Sequence, residues 1–189
     1  MLADQMFVQP IHGKGVRVIW LKGETDMLGA LEEVESFGEF AKRNNAVAST
    51  EVKSFEHLIC TEQLSRRLGF KVGEELIRVV RVRSLNGNAR QVDHGYFLES
   101  IAKGLTPEIA AKSIYDYLEH KRGVKVMASR RTVSVELAND EDCSYLDLGK
   151  YNCVAVMESQ SYTSDGILFE VTHARTHPEI FHYRVNSKR

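Results

Sequence analysis

The chain has 189 residues, enough for one good-sized domain or one domain with a short appendage, and its 43% hydrophobic and 27% charged residues need no metal or disulfide staple to form a core. A net charge of -1 leaves the whole chain no electrostatic footprint for nucleic acid, and no apolar run reaches membrane-spanning length. Cys60, Cys143 and Cys153 make no close pair, which argues against a disulfide framework or a zinc knuckle and for a reducing cytoplasm; residues 1–10 lack the pattern of a signal peptide.

In chain order, Phe7-Val8-Gln9-Pro10-Ile11 and Val16-Arg17-Val18-Ile19 are short strand-like runs flanking a glycine-rich turn, His12-Gly13-Lys14-Gly15. Leu28, Leu31, Val34, Phe37, Phe40 and Ala41 recur at helical spacing, which predicts helix over 28–43 in more than one short piece. From Ala46 the pattern is α+β. Residues 52–60 read as a strand, and Thr61 caps a short helix over 62–68 closed by Gly69. Residues 76–85 and 90–98 read as strands joined at Asn86-Gly87, a strong hairpin signal. A helix follows over 113–122, with Ser113 as N-cap, Asp116 three residues on as in a capping box, and Gly123 just past its end. A strand over 124–137, a short helix over 140–146, a hairpin of 154–162 and 167–174 across Ser164-Asp165-Gly166, and a strand over 181–185 complete the chain. Consecutive hairpins imply a mainly antiparallel sheet with helices on one face or at its edges.

Strand alternation puts Arg81 and Arg83 on one face with Ile77 and Val79. If that face is buried, two guanidiniums lie near the core and need an anion, and their forks suit phosphate or carboxylate. An exposed basic ladder, or pairing with internal Asp and Glu, is the plainer alternative. Ser113 is first of all a cap, but the helix start it closes also offers free N–H groups and the positive dipole end to an anion. Tyr115 lies in that first turn and either packs or faces the same ligand. Asp is depleted in strands, so Asp93 calls for a partner. A strict two-residue turn at Asn86-Gly87 would set Arg83 opposite Arg90 and turn Asp93 away; a three-residue loop with a bulge would set Asp93 opposite Arg81. Glu170 reads as a solvated strand position unless the site claims it. His173 and His177 are four apart, but on a strand running into Pro178, which does not make a zinc site. No Ser/His/Asp or Cys/His arrangement stands out, and Gly13-Lys14-Gly15 is too short for a P-loop.

Taken together and in order, Arg81-Val82-Arg83, Asp93, Ser113-Ile114-Tyr115-Asp116-Tyr117-Leu118-Glu119, Leu146-Asp147-Leu148 and Phe169-Glu170 resemble the HutC branch of the GntR superfamily of bacterial repressors. The likeness covers 46–189 and extends weakly to Met1; within the branch it is strongest to the trehalose-operon repressors, through residues 113–119, Asn139-Asp140-Glu141-Asp142 and Leu146-Asp147-Leu148. It implies the chorismate lyase-like fold of a UTRA effector-binding and dimerisation domain over 25–189. Residues 1–24 would be the remnant of a winged helix-turn-helix, with Gly13, Lys14 and Gly15 at the tip of the wing. The two helices that would read a major groove are not in the sequence, which implies a longer protein.

The same resemblance puts a phosphate site on Arg81, Arg83, Ser113 and Ser36, with Phe37 beside it, and sugar contacts on Asp93, Tyr115 and Glu170. Relatives that bind amino sugar phosphates carry Glu where Asp93 stands and Tyr where Thr176 stands; the smaller Thr176 leaves room for a disaccharide phosphate such as trehalose 6-phosphate. The expectation is a cytoplasmic, homodimeric sensor of a sugar phosphate that controls operator binding of a sugar-utilisation operon, with no enzymatic turnover, no cofactor, no metal and no membrane contact. A chorismate lyase-type enzyme acting on a small carboxylate, and a dimerisation module with a vestigial pocket, are the alternatives.

Overall fold

A computed structural model describes residues 8–19, 28–29 and 34–183. At its start, β1 (Val8–Ile11) and β2 (Gly15–Val18) form an antiparallel hairpin. Gly13 and Gly15 adopt positive φ of 70° and 90° in its turn, a conformation that favours glycine. Next come β3 (Leu28–Gly29), α1 (Phe37–Arg43), β4 (Ala48–Ile59), α2 (Glu62–Leu68), β5 (Glu75–Leu85), β6 (Asn88–Leu98), α3 (Pro107–Ala110) and α4 (Ile114–Arg122). The remainder is β7 (Val126–Leu137), α5 (Asp140–Tyr145), β8 (Cys153–Thr163), β9 (Leu168–Thr176), a 3-10 turn at Pro178–Ile180 and β10 (His182–Tyr183).

The α+β, mainly antiparallel reading holds: six strands form one antiparallel sheet in the order β4-β5-β6-β9-β8-β7. The helix expected over 28–43 in more than one short piece is present over Phe37–Arg43 and fails at Leu28–Gly29. Leu28–Gly29 pairs in parallel with β10, and the only helix described in that stretch begins after Ser36. Ser36 and Glu39 close a reciprocal capping box there, which stops helix from extending backwards. Leu31, Phe7 and residues 184–185 of the expected last strand lie outside the described residues, as does the expected domain boundary at residues 24 and 25.

One face of the sheet carries Ile77, Val79 and Phe97, all at most 1% exposed, against Ile114 and Leu118 of α4. The other carries Val80, Val92, Val154 and Val156 against Leu146 and Leu148. Each fully buried side chain of this kind contributes roughly 1.5–3 kcal/mol relative to leaving it in water. On this second face Arg175 is enclosed by Asp142, which is fully buried and bonded at 2.9 Å, and by Glu136. All three cysteines are free thiols, with Cys60 buried. No helix among the described residues is long and apolar enough to cross a membrane.

Candidate functional site

The β5–β6 hairpin sets the charge of the site through its register. Asn86 and Gly87 take φ of 51° and 81° in a two-residue turn, and Leu85 faces Asn88 across it. Pairing then slips by one: Ser84 faces Ala89 but Arg83 faces Gln91, so Arg90 is an unpaired bulge residue. Beyond it Arg81 faces Asp93. This is the pairing expected of the bulged alternative, Asp93 opposite Arg81, although the turn itself is a strict two-residue one and the bulge lies beyond it, at Arg90.

This register buries Asp93 between two cations. Arg81 Nη2 donates to Asp93 Oδ2 at 2.5 Å, and Arg83 Nη2 and Nε donate to the same oxygen at 2.7 and 3.1 Å. Arg81 and Asp93 are each 3% exposed. Burial alone would raise the Asp93 carboxyl, but the two guanidiniums outweigh it and hold it at about 2. One carboxylate against two arginines leaves one positive charge uncompensated within this triad. Arg81 Nε, buried, donates to no protein acceptor.

Arg81, Arg83 and Asp93 lie in the wall of a cavity of about 170 Å³. Ser36, Phe37, Ser113, Tyr115, Glu170 and Thr176 line the same cavity, so all nine residues assigned to the site from the sequence meet in one place. Ser113 caps α4 by accepting the Asp116 N–H at 3.2 Å, without the reciprocal bond that a capping box would have. The α4 N-terminus, with its unsatisfied N–H groups and positive dipole end, therefore stands at the cavity. The Phe37 ring lies 5.2 Å beneath the Arg83 guanidinium and fixes its plane. Tyr115 donates its hydroxyl to Glu170 and lies 3.1 Å from the Ser161 hydroxyl. Glu170, expected as a solvated position unless the site claimed it, is 4% exposed, and burial pushes its carboxyl up from the usual value. Thr176 ends β9 and accepts from Gln91 at 3.2 Å.

Sequence reasoning missed Lys112, Arg131 and Gln91, which also line the cavity. Lys112 adjoins the Ser113 cap, and Gln91 shares strand parity with Asp93, so both carried a usable signal. Arg131 comes from β7, whose place beside the cavity follows only from strand order. Gly13, Lys14 and Gly15 form the tip of the β1–β2 hairpin and line no part of the cavity. His173 lies 3.9 Å from Glu136 and Glu158, whereas His177 bonds the Asp147 carbonyl at 3.1 Å; no cluster of three or more metal-ligating residues occurs among the described residues.

Residues 43–182 match the UTRA domain. The HTH-type transcriptional regulator TreR of Bacillus subtilis is 28% identical over 183 residues, covering 97% of this chain and 76% of that protein. The solved effector binding domain of the B. subtilis trehalose repressor TreR superposes with a TM-score of 0.66 at 27% identity, covering 75% of this chain and 98% of that one. The structure of the possible transcriptional regulator YydK of B. subtilis superposes with a TM-score of 0.77 at 22% identity, covering 99% of this chain and 78% of that one, which is a likeness of fold. The chain therefore belongs to the UTRA domain family of GntR-type transcriptional regulators.

Proposed function

We propose that this chain is the sensing part of a bacterial transcriptional repressor and that the cavity holds a sugar phosphate, with trehalose 6-phosphate as first choice. The observation that carries the reading is the charge balance: two arginines share one aspartate beside a helix N-terminus in the wall of one cavity. A phosphate supplies the missing negative charge through Arg81, Arg83, Ser113 and Ser36. Asp93 Oδ1, which takes part in none of the three bonds to arginine, and the Tyr115–Glu170 pair then face the sugar hydroxyls. The small Thr176 side chain gives a second sugar ring room that a tyrosine would fill. The relationship to TreR supports this choice of ligand.

In this reading residues 25–189 are the HutC-type effector and dimerisation domain, and residues 1–24 are the wing of a DNA-binding head, with Gly13, Lys14 and Gly15 at its tip against operator DNA. The protein is a cytoplasmic homodimer without cofactor or metal, and the ligand is held, not turned over. Switching requires the ligand to favour one arrangement of the heads over another, because equal affinity for both shifts nothing. Ser36 and Phe37 lie on the segment leading from the hairpin to the sheet, so a ligand drawn against them acts on that connection.

Calorimetry with trehalose 6-phosphate, glucosamine 6-phosphate and glucose 6-phosphate tests the proposal. Trehalose 6-phosphate is expected to bind tightest, and Arg81→Ala to abolish that binding. Wild-type affinity in Arg81→Ala, or no heat from any sugar phosphate, refutes the site; conversion of chorismate by the wild-type chain refutes the non-enzymatic reading.

A further inference from the structure

A second cavity, of about 550 Å³, lies on the face of the sheet opposite the first. Strand register builds its floor. Arg78, Tyr96, Val171, Gln160 and Arg130 stand in one row across β5, β6, β9, β8 and β7. His94, His173, Glu158 and Thr132 form the next row. The two-residue alternation of strands turns both rows away from Asp93, Glu170 and Arg131. Arg67 and Leu68 at the end of α2 wall one side, and Glu141 of α5 walls another.

The cations of the first row stand at its two ends, and they are short of acceptors. Arg67 and Arg78 flank Tyr96. Arg78 Nε is buried and donates to no protein acceptor, and Arg78 Nη1 reaches Glu56 only at 3.3 and 3.4 Å. Arg67 donates to the Tyr96 hydroxyl at 2.8 Å and lies 5.6 Å over its ring, with no carboxylate partner among the described residues. At the far end, Arg130 makes no ion pair among the described residues. Three strand spacings, about 14 Å, separate the backbone of Tyr96 from that of Arg130. The middle of the cavity is different in kind, because each of its carboxylates has a histidine beside it. His94 Nε2 is 2.8 Å from Glu141, and His173 Nε2 is 3.9 Å from Glu158. Such pairs both donate to and accept from hydroxyl groups.

We propose that this second cavity binds an extended sugar bisphosphate, a ligand with a phosphate at each end and hydroxyls between. One phosphate meets Arg67 and Arg78, whose forks suit its oxygens, and the other meets Arg130. The hydroxyls meet the two histidine–glutamate pairs. A monophosphate leaves the arginines of one end without a partner. A dianion lacking hydroxyls sets nothing but carbon against Glu141 and Glu158. Ser159 and Thr172 line both cavities, but the other charged groups of the two sites lie on opposite sides of the sheet, so each site is addressed by its own substitutions. The proposal goes beyond the sensor reading and does not depend on what the first cavity binds.

Calorimetry of the full chain with fructose 1,6-bisphosphate tests it. The titration is run in Arg81→Ala, which removes a guanidinium central to the first cavity; Arg83→Ala takes its place should thermal melts show Arg81→Ala unfolded. One bisphosphate per chain is expected to bind in that background. Adding Arg67→Ala or Arg130→Ala, one from each end and both at exposed positions, is expected to weaken it roughly tenfold or more. Fructose 6-phosphate is expected to bind at least roughly tenfold more weakly than the bisphosphate, because it engages one end alone. No binding of the bisphosphate in the folded single variant, unchanged affinity on adding Arg130→Ala, or equal affinity for fructose 6-phosphate would overturn the proposal. Failure of trehalose 6-phosphate to bind the wild-type chain would count against the first cavity's ligand and leave these readings intact.

Discussion

Asp93 and Glu170 are two buried carboxyl groups in the wall of one cavity, and their surroundings pull them in opposite directions. Asp93 is held at about 2 against an ordinary 3.8, so its contribution to stability is present above about pH 4 and is lost as pH falls through about 2. Asp93→Asn removes the carboxylate shared by the buried Arg81 and the half-buried Arg83 and is expected to cost about 3 kcal/mol at neutral pH, shrinking as the pH approaches 2, which urea melts at several pH values would show. Glu170 is the reverse case. Its folded value is raised by burial, so ionisation at neutral pH costs stability, and the penalty disappears below the unfolded value. Glu170→Gln keeps an acceptor for the Tyr115 hydroxyl and is expected to raise Tm at pH 7 by roughly 3 °C while weakening sugar phosphate binding. An unchanged or lower Tm would contradict this assignment.

At the scale of elements, α5 joins two roles in one residue. Asn139 and Asp142 form a capping box at its start, and the same Asp142 side chain receives Arg175 from β9. Asn139→Ala should therefore cost only about 1 kcal/mol in a denaturant titration, whereas Asp142→Ala, which strands a buried guanidinium, should cost about 3–5 kcal/mol. The strands, both hairpins and the caps at Thr61, Ser113, Gly69 and Gly123 were legible because two-residue alternation and turn chemistry are local signals. The Arg175–Asp142 pair was not legible, because it joins residues 33 apart through tertiary packing. The helical reading failed at Leu28–Gly29 for a related reason. Its apolar spacing is genuine, but pairing of Leu28–Gly29 with β10 prevails over local preference, and the Ser36 cap sets the true start. Site residues brought in by the β5–β6 and α4 motifs were readable; Arg131, contributed by a distant strand, was not.

For the whole molecule, ligand binding should register as added stability. A ligand at about 100 times its dissociation constant stabilises the folded chain by roughly 2.7 kcal/mol, which for a domain of this size raises Tm by about 5–10 °C. Trehalose 6-phosphate is expected to give that shift in a thermal melt and inorganic phosphate much less of it, since phosphate alone leaves Glu170 and Tyr115 unengaged. The bulge at Arg90 bears on how such a sensor tolerates change in chain length. Arg90 is the one residue of β6 that faces nothing on β5, while Ala89 before it and Gln91 after it are both paired. Removing Arg90 would splice two partners already in correct phase, so the ladder would become regular and every cavity side chain would keep its direction. The losses would be an ion pair to Glu179 and the carbonyl that receives the His177 N–H. A shortened hairpin would thus still present Asp93 to its arginines, and the receptor could lose a codon there without changing what it recognises.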